Sequence, residues 1–256
     1  MPSAAPLFEM SGVSVAFGGV QALSDVGLAV PPQQVRGVIG PNGAGKTTLF
    51  NVACGFVRPD AGVVRWKGEE LARLRPHRLA GLGIARTLQG LGLFDRMTVL
   101  ENVMVGDDRH ATAGFWRSLA GLGHGDDARI ATRARELLEE MRVGEYADRL
   151  PGSLPYAVRK RVALARALVS EPELLLLDEP ASGLSTEEMD ELGELIRSLT
   201  ERTAVMLVEH HMDLVMRVCD DITVLDFGRV IAHGTPDAVR SDPAVLAAYL
   251  GEEVTP

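Results

Sequence analysis

The stretch Gly40-Pro41-Asn42-Gly43-Ala44-Gly45-Lys46-Thr47-Thr48 decides the fold of this chain. It follows the apolar run Val35–Ile39 and leads into Leu49-Phe50, which predicts a strand, a glycine-rich loop and the start of a helix. Backbone N–H groups of such a loop point at phosphate oxygens, and the helix dipole adds positive potential. Lys46 is then placed for the β- and γ-phosphates and the Thr47 hydroxyl for Mg²⁺. An ordinary glycine-rich turn is the alternative, but the full match in this context predicts binding of a nucleoside triphosphate.

Composition favours one soluble α/β domain. The chain has 256 residues and a formal net charge of −9, which argues against a protein that coats nucleic acid. Lysine occurs only at positions 46, 67 and 160. Because lysine is so rare in this chain, its presence inside the loop is not explained by a lysine-rich composition. Cys54 and Cys219 have no metal-type spacing, and we expect reduced core residues. There is no secretory start and no apolar run of about 20 residues, so we expect any membrane contact to go through a partner.

Apolar runs and helical patterns alternate along the chain, which predicts a parallel α/β core. The pattern predicts strands in Phe8–Val30 around Gly18-Gly19, and in Val63–Trp66, Gly83–Gln89, Leu174–Leu177 and Ala204–Val208, with a hairpin in Ile222–Ala232. It predicts helices in Leu71–Leu82, in most of Phe94–Leu150 and in Glu187–Leu199, and an irregular excursion from Ala111 to Asp127. Asp226-Phe227-Gly228 is interpreted as the turn of the hairpin and nothing more.

The second half of a nucleotide site is predicted at the end of the apolar run Leu174–Leu177. Asp178 closes this strand, where a carboxylate can hold Mg²⁺ through its water shell. Glu179 follows and can act as general base on the attacking water. Two acids that merely solvate a strand end are the alternative, which the phosphate loop makes the weaker one. His210, after the strand Ala204–Val208, is placed to contact the γ-phosphate, although a single histidine is more often a packed or surface residue.

In this order the motifs resemble those of ATP-binding subunits of ABC transporters, over nearly the whole chain. The resemblance implies an α/β fold, with a P-loop NTPase core around a parallel sheet, an antiparallel β subdomain and a helical subdomain. The implied limits are 1–92 and 160–238 for the core with the β subdomain, 93–159 for the helical subdomain and 239–256 for a C-terminal helical tail. ATP and Mg²⁺ are the implied cofactors.

The resemblance also implies a role for each matched residue. Phe17 corresponds to the aromatic residue, usually tyrosine, that stacks on adenine. Gly40, Pro41, Asn42, Gly43, Ala44, Gly45, Lys46, Thr47 and Thr48 bind the nucleotide, and Thr47, Gln89 and Asp178 form the metal site. Glu179 is the catalytic glutamate, His210 the switch histidine, and Gln89 a catalytic residue that also contacts the membrane subunit. Ser182–Ser185 lies where the family crosses its dimer interface.

Longer stretches resemble the branched-chain amino acid importers within that family. They are Arg86–Phe94, Met97–Val103, Val208–Val215, His233–Asp237 and Ala248–Glu252, with an insertion around Phe115-Trp116. Urea and other amide importers share this pattern. The resemblance implies permease subunits as partners and a second ATP-binding subunit, in a homodimer or a heterodimer, with no nucleic-acid partner. It places the chain peripherally at the cytoplasmic face of the inner or plasma membrane, in contact with the membrane only through the permease.

One motif departs from the family pattern. The family signature, Leu-Ser-Gly-Gly-Gln or Leu-Ser-Tyr-Gly-Gln, is here Leu154-Pro155-Tyr156-Ala157-Val158, which we call the signature segment. The serine hydroxyl is missing, proline removes an N–H, and Ala157 puts a methyl group where glycine allows close approach. Because each family signature acts on ATP held by the other subunit, we expect an asymmetric dimer with an intact partner, or two weakened sites in a homodimer. Alternatively, Arg159 and Lys160 compensate by placing charge near that phosphate. Ser185 also departs, since the family commonly has an acid or asparagine there.

The sequence therefore predicts an ATP-hydrolysing subunit of a branched-chain amino acid importer or a related importer. The alternative is a hydrolysis-poor, nucleotide-gated subunit that acts as a structural clamp in an asymmetric dimer. A soluble ABC ATPase of translation or DNA repair is a third possibility. That class usually has paired ATPase domains or a coiled-coil insert, and neither fits this chain.

Overall fold

The computed structural model describes residues 5–87, 91–107 and 124–250, without the side chains of 124–127 and 250. Its strands are β1 Phe8–Phe17, β2 Val20–Val30, β3 Val35–Ile39, β4 Ala61–Trp66, β5 Glu69–Glu70, β6 Ile84–Arg86, β7 Leu174–Asp178, β8 Ala204–Val208, β9 Asp221–Asp226 and β10 Arg229–Gly234. Its α-helices are α1 Lys46–Ala53, α2 Leu79–Leu82, α3 Val99–Met104, α4 His124–Glu140, α5 Tyr156–Leu168, α6 Thr186–Leu199, α7 Met212–Val218, α8 Pro236–Arg240 and α9 Pro243–Leu250. Short 3-10 turns occupy Pro76–Arg78, Gly144–Tyr146 and Pro151–Ser153.

The strands form two sheets. The first has the order β2-β1-β4-β5 and is antiparallel, with β1 and β2 joined at Gly18-Gly19 as the sequence predicts. The second has the order β10-β9-β3-β8-β7-β6 and is parallel except for β10, which forms the predicted hairpin with β9. This combination confirms the predicted α/β fold with a parallel core sheet and an antiparallel β sheet.

Two hydrophobic cores cover the two faces of the parallel sheet, because successive side chains of a strand point to opposite faces. Leu174 and Leu176 of β7 belong to the core that includes β1, β2 and α1. Leu175 and Leu177 belong to the core formed with the helices α3 to α7. A strand buried on both faces must be continuously apolar, which explains the run of four leucines.

The helical predictions hold where an apolar face repeats without interruption. In α4 and just after it, Ala134, Leu137, Leu138 and Met141 are buried and Ile130 is partly buried, as predicted. In α6, the predicted positions Leu192, Ile196 and Leu199 are buried, and Met189 packs against them.

Two local predictions are wrong. Leu71–Arg75 is irregular and only Pro76–Leu82 is helical, because the residue before a proline is pushed out of the helical region; Arg75 has φ −132° and ψ 142°. The predicted irregular excursion ends before Asp127, since α4 already begins at His124. The remainder of that excursion, residues 111–123, and the end of the predicted strand at Gln89 lie outside the described residues. The domain limits stay a prediction.

Candidate active site

Three neighbouring parallel strands bring the predicted site residues to one edge of the sheet. β8 lies between β3 and β7, and its last residue, Val208, pairs with Val38 on one side and Asp178 on the other. The phosphate loop follows β3, His210 follows β8 and Glu179 follows β7. We call this side of the sheet the carboxyl edge. In open parallel sheets ligands bind outside the carboxyl ends of the strands, so this is the expected place for a nucleotide.

The phosphate loop is built so closely against the core that glycine is required at both of its ends. Gly40 has φ +150°, and a Cβ there would lie 2.1 Å from the carbonyl oxygen of Leu225. Gly45 has φ +102°, and its Cβ would lie 2.6 Å from the carbonyl oxygen of Ala22. Both values are far below any normal contact, and both φ angles are ones that L side chains rarely adopt. The loop is therefore fixed by β2 and β9 at the start of α1.

Lys46 is the first residue of α1, and its side chain turns back into the loop. The ammonium donates hydrogen bonds to the carbonyl oxygens of Gly40, at 2.6 Å, and Pro41, at 2.9 Å. Thr47 is exposed in the first turn of α1, a turn that carries no acidic side chain. Lys46 and the helix N-terminus thus supply positive potential at one place, which suits phosphate oxygens.

Three carboxyl groups lie close together at the ends of β7 and β8. Burial, together with the negative charges of Glu179 and Glu209, raises the pKa of Asp178 to about 6. Such mutual repulsion favours a cation among the carboxylates. Because oxygen ligands of this kind suit Mg²⁺, the residues present fit the predicted metal site.

Glu179 stands in an unusual backbone conformation. Its φ is +47°, in the left-handed region that non-glycine residues rarely occupy. Its N–H donates to the carbonyl oxygen of Val208 at 2.8 Å, which ties it to β8. Its Oε1 lies 3.8 Å from Nδ1 of the half-exposed His210. The structure therefore brings the predicted base and the predicted switch histidine together.

Glu209 is a site residue that the sequence did not point to. It is 0% exposed, and its carboxylate accepts hydrogen bonds from the N–H groups of Ala181, His210 and His211. Its Oε2 also lies 2.9 Å from Nδ1 of His211. One buried side chain thus joins the segment after Glu179 to the segment that carries His210. The available signal was a charged residue directly after a fully apolar strand.

The signature segment leads into α5 without a cap. Pro155 occupies the N-cap position, and among the described residues no side chain caps that first turn. By contrast, Thr98 and Ser185 form complete capping boxes at the starts of α3 and α6. Ser185, the other departure from the family pattern, therefore has a structural use here. Ala157 is buried, whereas Pro155 is exposed.

The two basic residues after the signature segment are held within this chain. Lys160 donates to the carbonyl oxygens of Pro180, at 2.6 Å, and Glu179, at 3.5 Å. The guanidinium carbon of Arg159 lies 5.6 Å from the ring centroid of Tyr156. The charge of Lys160 is therefore directed at this chain's own site, which weakens the alternative that it compensates at a neighbouring one.

The remaining predicted residues differ in how far the structure describes them. Phe17 ends β1 and is 52% exposed, so its ring is accessible. Gln89 lies outside the described residues. The hairpin turn at Gly228 does more than reverse the chain, because its N–H donates to the carbonyl oxygen of Ala44 at 3.0 Å and so supports the phosphate loop. Nothing in the local sequence indicates that contact.

Comparison with known proteins agrees with this geometry. A family model described as ABC transporter matches residues 23–182, and one described as branched-chain amino acid ATP-binding cassette transporter matches residues 229–255. The chain is 42% identical over 254 residues to the high-affinity branched-chain amino acid transport ATP-binding protein BraF of Pseudomonas aeruginosa, covering 96% of this chain and 98% of BraF. It is 39% identical over 251 residues to the corresponding protein LivG of Escherichia coli, covering 96% and 98%.

A solved structure extends the similarity to the fold. The ADP conformation of MJ1267, an ATP-binding cassette of an ABC transporter, superimposes with a TM-score of 0.82 at 28% identity, covering 97% of this chain and all of that one. Every helix in the described part of the chain is too short or too polar to cross a membrane.

Proposed function

The chain belongs to the ATP-binding subunits of ABC transporters, and we propose that it hydrolyses ATP to power a membrane importer of branched-chain amino acids. The observation that carries this proposal is the meeting of the phosphate loop, Glu179 and His210 at the carboxyl edge. The similarity to BraF and LivG, together with the match at residues 229–255, supports the choice of solute.

In the proposed reaction each residue acts on ATP from its place in the fold. Phe17 stacks on the base, while Lys46 and the backbone N–H groups of Gly40–Gly45 hold the phosphates. Glu179 accepts the proton of the attacking water, and His210 donates a hydrogen bond to the phosphoryl group in transfer. Catalysis here is mainly a matter of positioning and electrostatic stabilisation.

Magnesium has a defined place in this proposal. Thr47, Asp178 and Gln89 would hold the ion, directly or through its water shell. Bound there, Mg²⁺ supplies positive charge to the phosphate oxygens. The raised pKa of Asp178, caused first by burial and then by Glu179 and Glu209, is the observation that supports a cation at this end of β7.

The proposed assembly is a dimer of ATP-binding subunits docked on a permease at the cytoplasmic face of the membrane. ATP closes the dimer, and hydrolysis with product release reopens it, which drives the permease between outward- and inward-facing states. The signature segment of this chain would then contact ATP held by the second subunit. Compared with the family signature, Pro155 removes a hydroxyl and an N–H, and the methyl group of Ala157 keeps the backbone from approaching the nucleotide closely. Because hydrogen bonds to the phosphate are lost, we propose that hydrolysis is slower at the site that holds the second subunit's ATP.

Steady-state ATP hydrolysis by the purified chain tests this function. We expect magnesium-dependent turnover that is abolished in Glu179→Gln and increased in the double variant Pro155→Ser/Ala157→Gly. Absence of turnover in both the wild type and the double variant, with ATP still bound, would favour the nucleotide-gated clamp instead. Brisk wild-type turnover that the double variant does not improve would show that the signature segment is not a defect.

The solute requires a separate measurement in cells. Uptake of labelled leucine should fall when the gene for this chain is deleted, return with the wild-type chain, and not return with Glu179→Gln. Unchanged leucine uptake together with reduced uptake of an amide such as urea would move the proposal to another importer of the same family.

A further inference from the structure

The segment that carries the proposed catalytic base is a strained turn that hydrogen bonds from other elements hold in place. We call residues 179–182 the catalytic turn. Glu179 has φ +47°, a strained conformation for a non-glycine residue that persists only where the surrounding structure holds it. The Glu179 N–H donates to Val208, and the Ala181 N–H donates to the carboxylate of Glu209 at 2.8 Å. Both of these contacts come from β8 and the residue that follows it.

A third contact reaches the catalytic turn from α5. The ammonium of Lys160 donates to the carbonyl oxygens of Pro180, at 2.6 Å, and Glu179, at 3.5 Å. The Glu179 carbonyl belongs to the peptide unit directly after the Cα that carries the Glu179 side chain, and the Pro180 carbonyl belongs to the next one. The β8 contacts hold N–H groups of the turn, whereas Lys160 holds its carbonyl oxygens. The contacts from β8 and from Lys160 together leave the catalytic turn little freedom to rotate.

The surroundings of Lys160 show that its side chain is built into the site. It is half-buried, and its ammonium lies 5.2 Å from the ring centroid of Tyr156. Burial lowers the pKa of Lys160, while the carboxylates of Glu209 and Glu179 act in the opposite direction. The ammonium is thus held by two backbone carbonyl oxygens and lies near an aromatic ring rather than extending into water.

A small cavity lies beside this contact. It has a volume of about 40 Å³ and is lined by Lys160, Asp178, Glu179 and Pro180, among others. Apolar side chains such as Leu177 and Leu192 line it beside these polar groups, and its volume is enough for a water molecule. Removing the ammonium would enlarge the free space next to the turn, so the turn would gain alternative positions rather than collapse onto a new partner.

We propose that Lys160 is a positioning residue for ATP hydrolysis at this chain's own site, because its ammonium fixes the carbonyl oxygens of Glu179 and Pro180 and thereby aims the Glu179 carboxylate. The proposal rests on the proposed function. It assigns Lys160 no contact with ATP or with the attacking water. A residue that acts only through orientation should change the rate of the chemical step and leave nucleotide binding intact.

The kinetic test compares three lysine variants in the same ATPase assay. Lys160→Met keeps the length of the stem and removes the donors, so we expect kcat to fall roughly 10- to 100-fold, as for a small misplacement of a reacting group. KM for MgATP should stay within about twofold, because no group that binds ATP has changed. Lys160→Arg keeps donors for both carbonyl oxygens and should recover most of kcat. Lys67→Met is the matched control, since Lys67 is exposed and pairs with Glu173 away from the turn.

Amide hydrogen exchange supplies a readout that does not need turnover. Peptides covering the catalytic turn should exchange faster in Lys160→Met than in the wild type, and at the wild-type rate in Lys160→Arg and Lys67→Met. If Lys160→Met does not fold, Lys160→Gln, which keeps one donor group, takes its place in both measurements.

The outcomes separate this inference from the function on which it rests. Wild-type turnover that Glu179→Gln abolishes, with Lys160→Met still at the wild-type kcat, overturns the role of Lys160 alone. Unchanged exchange of the catalytic turn in Lys160→Met overturns it as well, whatever the rate. A loss that appears in KM rather than in kcat would show that Lys160 serves nucleotide binding and not positioning. Absence of turnover in both the wild type and Pro155→Ser/Ala157→Gly would overturn the proposed function itself.

Discussion

Replacing Glu209 with glutamine tests whether one buried carboxylate holds the carboxyl edge together. Glu209 is 0% exposed. Its Oε1 accepts from Ala181 N at 2.8 Å, and its Oε2 accepts from His210 N at 2.8 Å and His211 N at 3.0 Å, with His211 Nδ1 at 2.9 Å. Glutamine has the same shape but replaces one accepting oxygen with a donating NH₂ group, so it cannot satisfy all four neighbours.

The expected loss follows from these contacts. In its better orientation the amide oxygen takes the place of Oε2, and the NH₂ group then faces the N–H of Ala181. Losing that charge-assisted hydrogen bond costs about 1.5–3 kcal/mol, and each of the other three weakens by about 1 kcal/mol when its acceptor becomes neutral. Relief of the desolvated charge offsets part of this. We therefore expect Glu209→Gln to lower the free energy of unfolding by about 2–4 kcal/mol.

Urea unfolding followed by circular dichroism near neutral pH measures this change. Glu145→Gln is the matched control, because Glu145 is exposed and the same charge is removed. The control should stay within about 0.5 kcal/mol of the wild type. If Glu209→Gln also stays within that range, the carboxylate does not hold the edge and the reasoning is wrong.

The pH dependence of the same measurement gives a second check. Burial alone would raise the pKa of Glu209, but hydrogen bonds from His211, Ala181 and His210 outweigh it and lower the pKa below its ordinary value of 4.5. A carboxyl group with a lowered pKa in the folded state stabilises the fold above its ordinary pKa and loses that effect as pH falls through the folded value. The difference between the wild type and Glu209→Gln should thus be full near neutral pH and shrink below pH 4.5. A difference that does not narrow in acid would contradict the assignment.

Three further predictions concern the loop, the metal and the thiols. Gly40→Ala should abolish ATP binding in calorimetry, because its Cβ would lie 2.1 Å from the Leu225 carbonyl oxygen, whereas the Cβ of Gly43→Ala meets nothing within 4 Å. The second variant should lose only about 1–2 kcal/mol of stability, through its positive φ. Chelation of Mg²⁺ by EDTA should stop ATP turnover, and added Mg²⁺ should restore it. Burial raises the pKa of Cys54 and Cys219 to about 12, so Ellman's reagent should titrate these thiols rapidly in urea and slowly in the native chain.

The parts of the fold that the sequence predicted correctly depend on local patterns. The phosphate loop is a contiguous motif, and Leu174–Leu177 is apolar throughout because both faces of β7 are buried. Asp178 is the last residue of that strand and Glu179 follows it, so the register of the strand is enough to place both acids. The prediction for Leu71–Leu82 was wrong where a hydrophobic pattern was followed past the position that Pro76 restricts.

The parts that were missed depend on contacts between distant residues. Glu209 bonds to Ala181 across 28 positions, and Lys160 bonds to Pro180 across 20. Neither contact can be predicted from helical or strand periodicity, because each depends on how β8 and α5 pack beside β7. The only sequence signal for Lys160 was the scarcity of lysine, and the sequence alone directed that charge toward a neighbouring phosphate rather than toward the chain's own backbone.

In the proposed dimer the first turns of α5 have two different tasks, so the signature segment can depart from the family pattern without changing the phosphate loop, Glu179 or His210 of this chain. The altered residues Pro155 and Ala157 would affect only ATP held by the second subunit. Lys160, on the same helix, instead supports Glu179 of this chain. In a mixed dimer, Pro155→Ser/Ala157→Gly should therefore raise hydrolysis at the partner's phosphate loop, whereas Lys160→Met should lower hydrolysis at this chain's loop. Single-turnover measurements in mixed dimers with only one intact phosphate loop would separate the two effects. If each variant changed hydrolysis equally at both loops, α5 would not act on the two sites separately.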